Sequence, residues 1–128
     1  NRGSEMDYSI RYSEIVIDKE IGRGAFGIVY KGKWRANTVA VKKMITDQMN
    51  ARQMEDFIQE MSLMKSLRPS PYVVLLLGVC HDPLCVVTEF CKNGSLYSLL
   101  QSNAVMDWPM IKKIVTGIAK GMLHLHLE

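Results

Sequence analysis

From Ile15 to Gly22 apolar and polar residues alternate, the two-residue period of a strand with one buried face. The alternation returns over Val29–Trp34 and Thr38–Lys43, with Arg35-Ala36-Asn37 as a turn between them, so two further strands are predicted. Tyr8–Ser13 reads as a lead-in. From about Asp47 to Leu67 the period lengthens. Met54, Phe57, Ile58, Met61 and Met64 fall at helical spacing as one apolar stripe, and Pro69 and Pro71 end the helix. Tyr72–Cys80 is an almost continuous apolar run with the length of a buried strand. His81-Asp82-Pro83 turns it, and Leu84–Phe90 returns as another strand. After a break at Lys92-Asn93-Gly94-Ser95 a short helix runs to about Gln101. A last helix runs from Trp108 to about Leu127, opened by Asp107 and Pro109. Ile111, Ile114, Val115, Ile118, Met122 and Leu125 keep helical spacing along it. Three strands, a long helix, two strands and then mostly helix predict an α+β fold.

Composition narrows this picture only slightly. The 128 residues suit one domain with a real core, and 48% hydrophobic with 23% charged residues is ordinary for a globular chain. A net charge of +3 is small and scattered, which argues against nucleic acid or a membrane surface as partner. No apolar run is long enough to span a bilayer, and Met6 opens no signal-peptide pattern. Asn1-Arg2-Gly3-Ser4 reads as a remnant of an expression vector. Cys80, Cys85 and Cys91 match no zinc spacing and read as buried or half-buried free thiols in a reducing, cytoplasmic setting. His124 and His126 fall on different helix faces and His81 sits in a turn, so no metal site is predicted.

The chemistry lies near the start. Gly22-Arg23-Gly24-Ala25-Phe26-Gly27-Ile28-Val29 contains G-x-G-x-x-G, which in dinucleotide-binding turns leads into a helix. Here it leads into Ile28-Val29-Tyr30-Lys31-Gly32-Lys33-Trp34, a strand. The loop is followed by Val39-Ala40-Val41-Lys42, an apolar strand closed by a lysine. Strand, glycine loop, strand and strand-borne lysine make a hairpin that covers phosphates. Glycines let backbone N–H groups approach phosphate oxygens closely, and Phe26 would cap the loop tip. Ile21 and Val29 flank the loop as an apolar ceiling for an adenine ring. Ala40 shares the strand face of Lys42 and leaves room for the base. An ammonium on an apolar strand needs anions, which phosphates and a carboxylate would supply. Glu60, one turn before Met64 at the stripe's edge, is the candidate carboxylate and is expected to face the sheet.

With these residues the chain resembles the N-terminal lobe of protein kinases over nearly its whole length. Val29–Arg35 and Val39–Lys43 look like the tyrosine-kinase-like group, and Leu77–Cys80 with Val87–Phe90 look equally like tyrosine kinases. The resemblance implies a five-stranded antiparallel sheet with one regulatory helix, plus the first helices of a second lobe. Residues 14–91 would form the first lobe with its hinge, and 92–128 the start of the second, after a lead-in of 1–13. It implies ATP as ligand, with Lys42 on the α- and β-phosphates and paired to Glu60. Movement of the Asp47–Leu67 helix would make or break that pair. Thr88 would stand at the back of the adenine pocket, with Glu89, Phe90 and Cys91 as the hinge. Gly94 follows the hinge, Ser95 or a neighbour would touch the ribose, and Met64 and Leu76 would pack behind the pocket.

The family's His-Arg-Asp and Asp-Phe-Gly tripeptides, which accept the substrate proton and hold Mg2+, do not occur in these residues. The resemblance therefore implies a protein-hydroxyl phosphotransferase in the longer parent and no transfer by this chain alone. A nucleotide-binding pseudokinase scaffold is the alternative. The apolar side of the last helix is expected to fold back on its own lobe or to pair two copies, including by exchange near Asn93-Gly94.

Overall fold

The computed structural model describes residues 8–127. Residues 1–4, read above as a remnant, and Met6 and Glu128 lie outside the described residues. The strands are β1 (Ile15–Arg23), β2 (Gly27–Trp34), β3 (Asn37–Met44), β4 (Leu76–His81) and β5 (Leu84–Glu89). They form one sheet in the order β1-β2-β3-β5-β4, with every neighbouring pair antiparallel. The helices are α1 (Ala51–Ser66), α2 (Leu96–Gln101) and α3 (Trp108–Leu127). The predicted α+β class with a five-stranded antiparallel sheet is what the chain forms.

Contacts divide the chain into two units. One comprises the residues up to Ser66 together with Leu76–Phe90, and the other Leu67–Leu75 together with the residues from Cys91 onward. The segment 67–75 thus groups with the later residues. In the first unit, strand register separates two sheet faces. Val39, Val41, Cys85, Val87 and Cys80 fall on one face and are buried with Ile10 and Ile15. Lys42, Val86 and Val79 follow one another across β3, β5 and β4 on the other face. There α1 docks through Met61, with Phe57 and Met64 beside it, onto Leu76, Val79 and Val86. Ile58, expected in the stripe, is 57% exposed because the contact runs along Phe57, Met61 and Met64.

Local chemistry explains the ends. The Asn50 side chain accepts from the Gln53 amide at 2.8 Å and the Gln53 side chain accepts from the Asn50 amide at 2.9 Å. This reciprocal box starts α1, later than Asp47. Asp47 instead lies in a short 3-10 turn, Thr46–Gln48. The β2–β3 hairpin turns through Arg35 and Ala36 at φ 48° and 64°, the left-handed pair that suits a two-residue loop.

One predicted strand needs correction. Tyr72–Leu75 is not strand, and β4 begins only at Leu76. The Val73 amide donates to the Ser70 carbonyl and closes a turn directly after the prolines, leaving Tyr72, Val74 and Leu75 exposed. An apolar run does not distinguish strand from turn when prolines precede it.

The second unit packs α3 against this turn. The Lys120 ammonium donates to the Tyr72 hydroxyl at 3.3 Å and lies 5.1 Å from the ring centre. His124 Nε2 meets the Arg68 carbonyl at 2.7 Å. Met110's amide donates to the Asp107 side chain at 3.0 Å, the cap expected for α3. Among the described residues no helix is long and apolar enough to cross a membrane.

Candidate nucleotide-binding site

The glycine loop joins β1 to β2 in the first unit. Ile21 is the extra residue of a bulge between Glu20 and Gly22, and it is exposed. Gly22 pairs with Val29, and the Gly24 amide donates to the Gly27 carbonyl at 2.9 Å, closing the loop. Phe26, expected to cap the loop tip, is half-buried, and its carbonyl accepts from the Ile45 amide at 2.7 Å. That bond ties the loop to the end of β3.

Gly27 decides where Lys42 goes. A Cβ built on Gly27 would stand 3.1 Å from Lys42 Cε and 3.3 Å from Cγ. The lysine stem therefore lies across the volume that any other residue would fill, which brings loop and lysine together. Register sets Val29 opposite Lys42 and Lys42 opposite Val86; in the next row of that face, Lys31, Ala40 and Thr88 stand opposite one another. Val29, Ala40, Lys42 and Thr88 thus share one face beside the loop.

Glu60 departs from expectation. It is exposed rather than turned to the sheet, and Lys42 and Glu60 form no ion pair among the described residues. Helix α1 is held by the Phe57–Met61–Met64 stripe, and Glu60 borders that stripe from the solvent side. A carboxylate leaves water only when a cation reaches it. Met64 and Leu76 do meet in one cluster, as expected.

At the strand end the Thr88 hydroxyl donates to the Glu89 carbonyl at 3.2 Å. Glu89 is exposed and Phe90 half-buried. Lys31, which sequence reasoning did not single out, holds its ammonium 5.2 Å from the centre of the Phe90 ring. Its place two residues beyond Val29, on the face of Ala40, was the available signal. In the second unit the Gly94 amide donates to the Cys91 carbonyl at 3.0 Å, with Gly94 at φ +74°. Ser95, a ribose candidate, accepts from the Ser98 amide at 3.1 Å and caps α2.

Two of the three thiols are buried as expected, and Cys91, expected buried or half-buried, is exposed. Cys80 and Cys85 are partners across β4 and β5. Burial pushes the Cys85 thiol up to about 11 and raises Cys80 as well. Among the described residues no cluster could hold a metal ion.

The sequence model of the protein tyrosine and serine/threonine kinase family matches residues 15–128. The chain belongs to the protein kinase family. A probable serine/threonine-protein kinase of Dictyostelium discoideum is 41% identical over 126 residues, covering 95% of this chain and 14% of the relative. The probable serine/threonine-protein kinase drkB of the same organism is 40% identical over 116 residues, or 88% of this chain and 17% of the relative. A putative serine/threonine-protein kinase/receptor of Acanthamoeba polyphaga mimivirus is 37% identical over 119 residues, 91% of this chain and 7% of the relative. The kinase chain thus spans less than a fifth of the length of these relatives. Kinases use ATP and Mg2+ in general. The absence of a Cβ at Gly27 lets the Lys42 stem pass beside the loop, a cation next to backbone amides that fits phosphate chemistry, and no Asp-Phe-Gly aspartate occurs among these residues to hold the metal.

Proposed function

We propose that this chain is the ATP-binding lobe of a protein kinase of the tyrosine-kinase-like group, acting in signalling in the cytoplasm. The longer parent would transfer the γ-phosphoryl group to a protein serine, threonine or tyrosine hydroxyl. The observation that carries the reading is the Lys42 stem, whose Cε and Cγ lie 3.1 and 3.3 Å from where a Cβ on Gly27 would stand, beside the glycine loop. Lys42 neutralises phosphate charge, the loop amides face phosphate oxygens, and Val29, Ala40 and Thr88 offer a smooth apolar wall to the base. In the same unit, Glu89 and Phe90 follow that wall along the chain and would provide backbone groups for adenine. Mg2+ would supply charge neutralisation to the bound phosphates, and the Asp-Phe-Gly aspartate that would hold it is not among these residues.

Without His-Arg-Asp and Asp-Phe-Gly residues the chain binds nucleotide and does not transfer phosphate. Equilibrium binding of Mg-ATP beside Lys42→Met, with mass measured on the same samples, tests this. Wild-type binding that the variant loses supports the reading; equal binding by both overturns the role of Lys42. The unpaired Lys42 and Glu60 favour a second reading, a scaffold that binds nucleotide without catalysis. A parent that binds Mg-ATP and transfers no phosphate, with its own catalytic tripeptides degenerate, would select that one.

A further inference from the structure

Within the second unit, the segment Leu67–Leu75 is fastened to α3 on both sides of one serine. The Arg68 carbonyl accepts from His124 Nε2 at 2.7 Å, and the Tyr72 hydroxyl accepts from the Lys120 ammonium at 3.3 Å. Lys120 and His124 stand one turn apart on the same helix face. Between the two fastenings lies Pro69-Ser70-Pro71. Gly121 lets the backbones meet, since a Cβ there would stand 2.7 Å from the Tyr72 carbonyl oxygen.

Ser70 opens a turn. Its hydroxyl oxygen accepts from the Tyr72 amide at 3.2 Å and its carbonyl from the Val73 amide at 3.3 Å, with proline preset at the second position. Ser70, Lys120 and His124 border one groove of about 330 Å³, walled by Pro69, Pro71 and Leu123. Neither Leu67–Leu75 nor α3 carries an acidic residue, whereas Arg68, Lys120 and His124 are basic. An oxyanion on Ser70 would therefore meet cations and no like charge from either element.

The sequence around this serine is one that an enzyme can read. A proline after serine favours extended backbone at the serine and brings no amide N–H that a binding cleft must satisfy. The segment from Arg68 to Leu75 lies outside every helix and strand, and Ser70 is half-buried. Presenting the hydroxyl costs turn bonds rather than a ladder.

We propose that Ser70 is a phosphorylation site for a separate, proline-directed protein kinase, and that Lys120 holds its phosphate in the α3 groove and locks the turn onto the helix. In the transfer, the Ser70 Oγ–P bond forms as the bond from the γ-phosphorus to the β,γ-bridging oxygen of ATP breaks. ADP leaves with that oxygen, and the hydroxyl proton passes to a base of the modifying enzyme. The phosphoserine brings about two negative charges to a groove bordered by a lysine already bound to Tyr72. Nucleotide at the glycine loop plays no part in this lock.

The test incubates the 128-residue chain with Mg-ATP and a recombinant proline-directed protein kinase, beside its Lys120→Met variant and a synthetic peptide of residues 65–76. Peptide mapping should find phosphate on Ser70 in the folded chain and in the peptide. Modification of the peptide alone, or of neither, overturns the proposal. Hydrogen exchange then reads the lock. Phosphorylation should slow the Tyr72 and Val73 amides several-fold in wild type and leave them unchanged in Lys120→Met. Unchanged or faster exchange in the phosphorylated wild type overturns the lock, and equal slowing in Lys120→Met overturns the role of Lys120. Lys120 is exposed and methionine keeps most of its stem, so the variant should fold as wild type does. Phosphate on Ser70 and Mg-ATP binding at the glycine loop are read separately, so either can fail alone.

Discussion

At Gly27 a side chain and the stem of Lys42 compete for one volume. Gly27→Ala would put a Cβ 3.1 Å from Lys42 Cε and from the Lys43 carbonyl oxygen. The backbone oxygen cannot retreat without disturbing the β2–β3 ladder, so the lysine must shift. Titration calorimetry should show Mg-ATP affinity falling by roughly tenfold, about 1.4 kcal/mol, with far-UV dichroism unchanged. The thiols make a second residue-scale prediction. A water-soluble alkylator should modify Cys91 in the native chain and all three cysteines only in denaturant. Cys85 also titrates against folding. Its thiol moves from 9.0 to about 11 on burial, so between those values the unfolded chain releases a proton that the folded chain keeps. Stability is unaffected below about pH 9 and falls as pH rises toward 11. Urea midpoints measured across that window should drop for wild type and less for Cys85→Ala, once compared with each protein's own value at neutral pH.

Elements carry their own strains and supports. Ala36 holds φ 64° in the β2–β3 turn, where a Cβ costs roughly 1 kcal/mol and glycine nothing. Ala36→Gly should therefore raise the urea midpoint, offset in part by the greater freedom glycine gives the unfolded chain. Asn50→Ala removes one half of the box that starts α1 and should lower stability by about 1 kcal/mol. These elements were legible to different degrees. The β2–β3 hairpin, α1 and α3 follow from local periodicity, and Asp107 marked the α3 cap correctly. Tyr72–Leu75 misled because its apolar residues turn rather than extend. Ile10 was invisible for another reason. Its socket is a missing Cβ on Gly78, far along the chain, and no local period records such a contact. The loop and Lys42 were legible because glycine spacing before an alternating strand marks the β1–β2 turn, and strand register carries Lys42 beside it. Glu60 stands at the edge of the apolar stripe, where helical spacing does not decide between sheet and solvent, and here it lies on the solvent side.

On the scale of the molecule, the two units face water differently. The first buries Val39, Val41, Val87 and two cysteines completely, while α3 leaves Val115 60% and Ile118 55% exposed, with Met122 also outward. They lie at positions i, i+3 and i+7, one stripe on a helix whose opposing residues already meet Tyr72 and Arg68. Complete burial of three such side chains is worth roughly 1.5–3 kcal/mol each. That sum is large beside the marginal stability of a chain this size. A second copy presenting the same stripe would cover it through an isologous contact, since identical apolar faces are complementary about a two-fold axis. Sedimentation should therefore show dimers that dissociate on dilution. Ile118→Asp should yield monomers with the same helical dichroism, because the residue is exposed within its own chain. A wild-type chain that remains monomeric at high concentration would overturn the pairing, and an Ile118→Asp dimer would move the contact to another face. Mg-ATP affinity measured on both proteins then separates assembly from the site: Gly27 and Lys42 lie in the first unit, so the monomer should bind as the dimer does.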